Sequence, residues 1–325
     1  IDSPVVIDSF DAESLKLHGS GDLTETLINL LPSFTATSYT GDGNAFVRAT
    51  SLRGLPPDDV LILVNTKRRH RSALIQHCGP AVSSGAHAAD MGLLPAIAFK
   101  NIEVLRDGAA SQYGSDAIAG VFNFILRDAN EGGHLEAQTG QFFEGESVFK
   151  LAGNLGLPLT SSGFANLSFE YVDNEQLIRG FQPAAAQAAI DSGFSNVGID
   201  SPYAGDTLAQ TWGRPQNRGL RTAWNLAINV NDTSKVYAFG NYANTYANYR
   251  FFYRSPNHPS LQPLPQDPGD PAKGNFCWCD TFTGGFTPYL EGDLKDFSTL
   301  IGVAGEFMNG TKYDLSASYG FNEID

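Results

Sequence analysis

Several things are scarce in this chain. Cysteine occurs only at positions 78, 277 and 279 of 325, and no spacing of Cys and His fits a zinc site. A disulfide-framework domain and a structural zinc domain are both excluded, and no metal or cofactor is expected. Positive charge is short: 21 Lys and Arg stand against 35 Asp and Glu, a formal net charge of −14. Non-specific nucleic-acid binding needs clustered cations, so nucleic acid is not an expected partner. The one dense basic run, Lys67-Arg68-Arg69-His70-Arg71, follows an apolar stretch and reads as a solvated loop at a strand end. Long hydrophobic runs are missing too. The densest, Val60–Val64, is strand-sized, far below the roughly 18 residues a membrane helix needs. Any membrane role must then rest on β-strands. The chain opens at Ile1 without a Met, a basic leader or an apolar leader, so no signal peptide is expected within it. Carboxylates are numerous, but there is no G-x-S-x-G, H-E-x-x-H or phosphate-binding loop, and an enzyme is not expected.

What is present divides into two grammars. Aromatic residues reach 11% and glycine 34 positions, a strand-rich and turn-rich composition. Residues 1–131 mix helix and strand signals. Asp22 and Glu25 resemble a capping box; Leu23, Leu27, Leu30 and Leu31 follow at helical spacing, and Pro32 ends the helix. Strand-like runs are expected at 45–52, 59–65, 101–106 and 120–127, with Pro95 opening a short helix before the third. This is a small α/β or α+β domain with its own core.

From Gly132 alternation takes over. In 220–231, Leu220, Thr222, Trp224, Leu226, Ile228 and Val230 alternate with Arg221, Ala223, Asn225, Ala227, Asn229 and Asn231. In 312–321, Tyr313, Leu315, Ala317, Tyr319 and Phe321 share the apolar face; 148–155 and 164–171 follow the same rule. A soluble sandwich also alternates. Here, however, the polar face carries full charges (Lys150, Glu170, Arg221, Asp314), and the apolar face ends in aromatics (Tyr171, Tyr319, Phe321), as at a membrane interface. Strands are expected at 132–143, 146–156, 163–173, 219–231, 235–249, 298–308 and 312–323. The links 174–218 and 250–297 are long and the others short, which is the pattern of an outer-membrane barrel. The expected architecture of 132–325 is thus the first seven or so strands of an incomplete transmembrane antiparallel β-barrel.

The end of the first domain carries a resemblance. Residues 102–125, IEVLRDGAASQYGSDAIAGVFNFI, closely resemble the plug-domain signature of TonB-dependent outer-membrane transporters. Upstream, Leu52-Arg53-Gly54 and then Val60–Val64 running into Asn65-Thr66-Lys67-Arg68 match the family's R-G pair, strand and turn, with Thr66 where Gly is usual. A different local turn is expected there. The resemblance covers 1–130 well and implies an α+β plug followed by a partial barrel in the bacterial outer membrane. The motif residues carried over are Arg53, Gly54, Glu103, Arg106, Gly108, Tyr113, Gly114, Gly120 and Asn123. Ion pairs of Arg53, Glu103, Arg106 and Arg127, within the plug or across to Glu136 or Glu170, are expected.

The same resemblance implies active, TonB-dependent uptake of a scarce nutrient, a ferric siderophore or similar ligand. The alternatives are a passive or signalling receptor, or uptake of carbohydrate, corrinoid or peptide. Implied partners are TonB, through a segment upstream of residue 1, outer-membrane lipid and the small-molecule ligand. Ligand contacts are expected at the plug apex and the long loops: Arg69, His70, Arg71, His77, His87, Tyr249, Phe252 and Trp278. Other readings stand beside these. His77, Cys78 and His87 read as a metal or ligand site or as a plain polar loop, and the missing ligand spacing favours the loop. Tyr246, Tyr249, Phe251, Phe252 and Tyr253 read as an outer aromatic girdle or as a ring-stacking surface, with the girdle favoured. Cys277 and Cys279 read as unpaired thiols in an exposed loop rather than a strained bridge.

Overall fold

The computed structural model describes residues 7–17, 23–36, 45–76, 84–106, 109–194, 197, 208–266 and 268–325. In the first domain β1 (Ile7–Asp11) leads into α1 (Ala12–Leu17) and α2 (Leu23–Leu30). Leu23, Leu27 and Leu31 fall on one side of α2 and are buried, and the chain turns at Pro32. Asp22, the expected cap, lies outside the described residues. Two short strands, β2 (Phe34–Thr35) and β3 (Ser51–Leu52), pair with each other. The main sheet adds β4 (Val60–Val64), β5 (Lys67–Arg68) and β6 (Phe99–Leu105), then, after α3 (Ala109–Tyr113), β7 (Gly120–Leu126), in the order β1-β6-β7-β4-β5. Only β4 and β7 run parallel. Both are central, so Val60–Leu63 and Val121–Phe124 are buried on both faces and need no alternation. Phe34, Phe99, Phe122 and Phe124 stack at the centre of the core.

The second half is one meander of seven antiparallel strands: β8 (Gly133–Gln141), β9 (Ser147–Thr160), β10 (Gly163–Asn174), β11 (Gln216–Asn231), β12 (Ser234–Arg250), β15 (Tyr289–Glu306) and β16 (Lys312–Ile324). Helix α4 (Ala184–Asp191) sits in the first long loop, and the small hairpin β13 (Leu264–Pro265) with β14 (Asn275–Phe276) in the second. β8 and β16 form the two edges of this sheet. The alternation is obeyed. Lys150, Glu170, Arg221, Asn225, Asn241 and Asp296 face the first domain and are buried, whereas Leu155, Leu167, Phe169, Ile301, Leu315 and Phe321 face away and are exposed. Ala223, Phe239 and Leu300 of the wall join the domain's main core.

The connections 161–162, 232–233 and 307–311 are short and lie at one end; 142–146, 175–215 and 251–288 lie at the other. Two expectations need correction. β15 starts at Tyr289, not 298, because its first half carries Glu291, Asp293, Lys295 and Asp296 and lacks an apolar face, yet it pairs in register with β12 up to Arg250↔Tyr289. Residues 45–50 are not a strand. They are apolar because Ala45, Phe46, Val47 and Ala49 pack on Ala243, Ala247, Tyr249 and Leu294 of the wall.

Candidate functional site

The signature residues hold the first domain together from inside. Arg53 and Gly54 both have positive φ (56° and 73°), which turns the Arg53 guanidinium onto the carbonyls of Ile118 and Ala119 at 3.3 and 3.1 Å. Gly120 is required where it stands: a Cβ would lie 2.5 Å from the Leu105 carbonyl oxygen, at φ +150°. Asn123 accepts from the Thr66 amide at 2.9 Å and donates to Glu103 at 3.0 Å. The 65–66 turn keeps the left-handed geometry that Gly would suit, with φ of 47° at Asn65 and 68° at Thr66, so a β-branched residue is held in an unfavourable region. Arg106 pairs with Asp8 at 2.6 Å, and Gly114 turns the chain at φ +91° just after Tyr113. Gly108 lies outside the described residues. Of the residues expected to pair between domain and wall, Arg127 donates to the Ile97 carbonyl, Glu136 pairs with Lys150, and Glu170 accepts from Arg221 and from the Ala96 amide.

The seam between domain and wall is made by other residues. From β5 onward the chain climbs β15 and β16 in steps. Lys67 pairs with Asp314 at 2.9 Å, Arg69 with Asp296 at 2.8 Å, His70 with Asp296 at 2.8 Å, and the Ala73 amide donates to Asn322 at 2.6 Å. Asp296 is the hub, since Asn241 and Asn322 also donate to it, at 2.7 and 3.0 Å. The Arg69 and Asp296 side chains are 2% and 1% exposed, so this ion pair is dry. Elsewhere on the seam, Arg221 donates to the Gly92 carbonyl at 2.6 Å, Asn225 to the Arg127 carbonyl at 2.9 Å, and Arg214 pairs with Glu25 at 3.0 Å. Two wall glycines receive rings from the domain. The Phe46 ring lies on Gly292 and the His70 ring on Gly320, where a Cβ would come within 3.0 and 2.6 Å of them.

At the end with the long connections, the domain presents 45–49, 72–76 and 84–94. Asp90 organises this apex by accepting from the Arg48 and Gly92 amides at 3.0 and 2.8 Å; its burial pushes the carboxyl above its ordinary range. The loops are bound to each other as well as to the apex. The Tyr253 amide donates to Gln210, Thr287 to the Ala209 carbonyl, and Arg250 to the Leu208 carbonyl. A row of rings runs Phe46–Tyr249–Phe251–Phe252–Trp212, each pair 4.9–6.4 Å apart between centroids. Arg254 lies over Phe251 at 5.3 Å and beside His258 at 3.0 Å, and burial together with that cation lowers the His258 pKa.

The structure therefore separates the expected ligand residues. Arg69 and His70 are engaged in the seam. Arg71 is half exposed, 3.7 Å from Asp116. His87 is tied by its ring to the Ser72 carbonyl and by its amide to Asp58. Tyr249 is fully buried, facing the domain and not an outer girdle, because it shares the inward parity of Asn241, Thr245 and Ala247. Phe252 and Trp278 are exposed, at 38% and 50%. His77 and Cys78 lie outside the described residues. Cys277 and Cys279 are joined as a disulfide, against the expectation of free thiols, next to the ring series Phe276, Trp278, Phe282 and Phe286. Sequence reading missed Asp296, Trp212 and Arg254. Of these, Asp296 shows itself as a charge at the inward parity of a strand only once pairing with β12 extends β15 back to Tyr289.

Comparison with known proteins places this geometry. The family model of the TonB-dependent receptor plug domain matches residues 1–121. An iron-regulated outer membrane virulence protein of Vibrio cholerae is 33% identical over 126 residues, 38% of this chain and 18% of that protein. The ferric enterobactin receptor of Pseudomonas aeruginosa is 32% identical over 118 residues, 35% of this chain and 15% of that one. The crystal structure of the siderophore receptor PirA from Acinetobacter baumannii shares the fold with a TM-score of 0.64 at 20% identity, over 98% of this chain and 40% of that chain. That of a ferric enterobactin receptor mutant from Pseudomonas aeruginosa, in complex with enterobactin, gives 0.64 at 17% identity, over 99% and 42%. The chain thus spans about two fifths of the solved relatives it resembles.

Proposed function

We propose, because residues 1–121 match the plug domain of TonB-dependent receptors, that this chain is part of such a receptor of the bacterial outer membrane and serves the energised uptake of a ferric siderophore or a ligand of similar kind. It acts as a receptor and transporter, not as an enzyme. The observation that carries this reading is the seam. A folded domain covers the polar face of the wall and is fastened to it by a dry ion pair and a ladder of hydrogen bonds from Lys67 to Ala73. Solute can pass along that face only if the domain is moved, and an external source of force, TonB, suits that requirement.

Ligand recognition belongs at the end with the long loops, where plug apex and loop rings meet. Phe252, with Trp212 beside it and Arg254 over the adjoining Phe251, and Trp278 in the second ring group offer exposed ring faces and a cation to a planar, anionic chelate. Arg71 and His87 are retained as second contacts from the plug. The test is equilibrium binding of a panel of ferric chelates to the intact receptor. Trp212→Ala, Phe252→Ala and Trp278→Ala should each weaken the recognised chelate at least about tenfold, roughly 1.4 kcal/mol. Unchanged affinity in all three would place recognition elsewhere.

A further inference from the structure

The face of the wall turned away from the plug carries a hollow that ligand uptake does not use. Strands β8 to β11 line it, and β12 supplies Gly240 behind the Trp224 ring. Along the outward face Gly153 of β9 sits opposite Phe169 of β10, Leu167 opposite Trp224 of β11, and Trp224 opposite Gly240 of β12. The Phe169 ring lies over the bare backbone of Gly153, and the Trp224 ring over that of Gly240. The two glycines thus draw the two largest side chains of this patch in opposite directions, one towards β9 and one towards β12. Between them opens a hollow of about 650 Å³, lined by Leu135, Leu155, Leu167, Phe169, Thr222 and Trp224.

Its chemistry is that of a hydrocarbon site. The polar side chains bordering it are spent on the protein. The Thr222 hydroxyl donates to the Tyr242 carbonyl at 3.2 Å, Asn154 donates to Asn166 at 2.6 Å and to Ser168 at 2.8 Å, and His134 at the edge lies 3.9 Å from Glu136. Leu155, Leu167 and Phe169 are exposed. Away from His134 at the edge the lining offers a polar solute little, whereas an alkyl chain would cover these surfaces. Leu167 lies five residues from the short turn at 161–162, on the order of 15 Å along the strand. That is within the roughly 25 Å apolar band of such walls and within reach of the leaflet on the short-turn side.

We propose that this hollow seats one acyl chain of a phospholipid from that leaflet, as a lipid site distinct from general solvation of the wall. The inference rests on the outer-membrane placement and not on the identity of the transported ligand.

The experiment places the intact receptor in nanodiscs of phosphatidylethanolamine and phosphatidylglycerol. A trace of phosphatidylethanolamine carries a photoreactive diazirine in mid-chain, and labelled peptides are mapped after illumination. Peptides 153–169 and 220–226 should be labelled at least threefold more than the similarly outward-facing Ile301, Val303 and Leu315. Leu167→Trp, which fills the hollow, should reduce labelling there to the level of those residues. Leu315→Trp, a like change elsewhere on the wall, should leave it unaltered. Even labelling over the whole outward face would overturn the proposal. So would low labelling at the hollow together with disulfide crosslinking between two Leu167→Cys copies, which would make the occupant a second copy of the receptor.

Discussion

Removing the Asp296 carboxylate should loosen the plug from the wall more than any other single change at the seam. In Asp296→Ala the Arg69 guanidinium keeps Asn241 as a partner at 2.9 Å but loses its counter-charge in a site where it is 2% exposed. His70, Asn241 and Asn322 lose an acceptor at the same time. Breaking a buried pair from one side costs ~3–5 kcal/mol, because the remaining charge is left desolvated. Replacing both ends, as in Arg69→Met with Asp296→Leu, removes the charge as well as the pair and should cost far less. Hydrogen exchange of the intact receptor, followed over the backbone of residues 60–73, reads this directly. A loss of about 3 kcal/mol in local stability is roughly a 150-fold faster exchange when opening is limiting by its equilibrium. Asp296→Ala should show it, and the double variant should recover most of it. An acceleration below about fivefold in Asp296→Ala would refute the view that this pair fastens the plug.

Other consequences follow from single positions. Gly120→Ala sets a Cβ 2.5 Å from the Leu105 carbonyl and should lower plug stability by more than about 3 kcal/mol, measured by denaturant unfolding. Thr66→Gly relieves a left-handed β-branched residue at φ 68° and should stabilise the plug by ~0.5–1 kcal/mol in the same assay. At the outer hairpin, burial raises the Glu146 carboxyl, but the Ile178 amide and Arg179 outweigh it and hold the group below its ordinary 4.5. Its clasp therefore contributes fully above pH 4.5 and is lost as pH falls through the lowered value. Protease nicking of 175–182 should rise only in that acid range, and in Glu146→Gln the acid step should disappear.

Much of the wall could be read in the sequence, because a membrane strand must alternate. Leu220 to Asn231 and Tyr313 to Phe321 declare both faces without help from any partner strand. The first half of β15 hid because it stands towards the long loops, where Glu291, Asp293 and Lys295 are tolerated and only pairing with β12 defines the strand. The apolar run 45–49 reads like a strand, although its partner is the wall and not a neighbouring strand. Tyr249 shows parity missed: counted from Asn241 in steps of two, it belongs to the inward face, and the girdle reading ignored that count. The seam was the least legible part. Arg69 and Asp296 stand 227 residues apart, and nothing local to either announces the other. The basic run Lys67–Arg71 reads as a solvated loop because its counter-charges, Asp116, Asp296 and Asp314, come from distant segments. The disulfide between Cys277 and Cys279 was disfavoured on spacing alone, a rule that loop geometry overrode.

The most direct test of the account is uptake of the recognised ⁵⁵Fe-labelled chelate by cells expressing the intact receptor, with and without TonB. If the fastened plug closes the path, surface binding should appear in both strains and accumulation only where TonB and the proton-motive force are present. Equal accumulation without TonB would contradict it, because the fastened plug would then not be what closes the path.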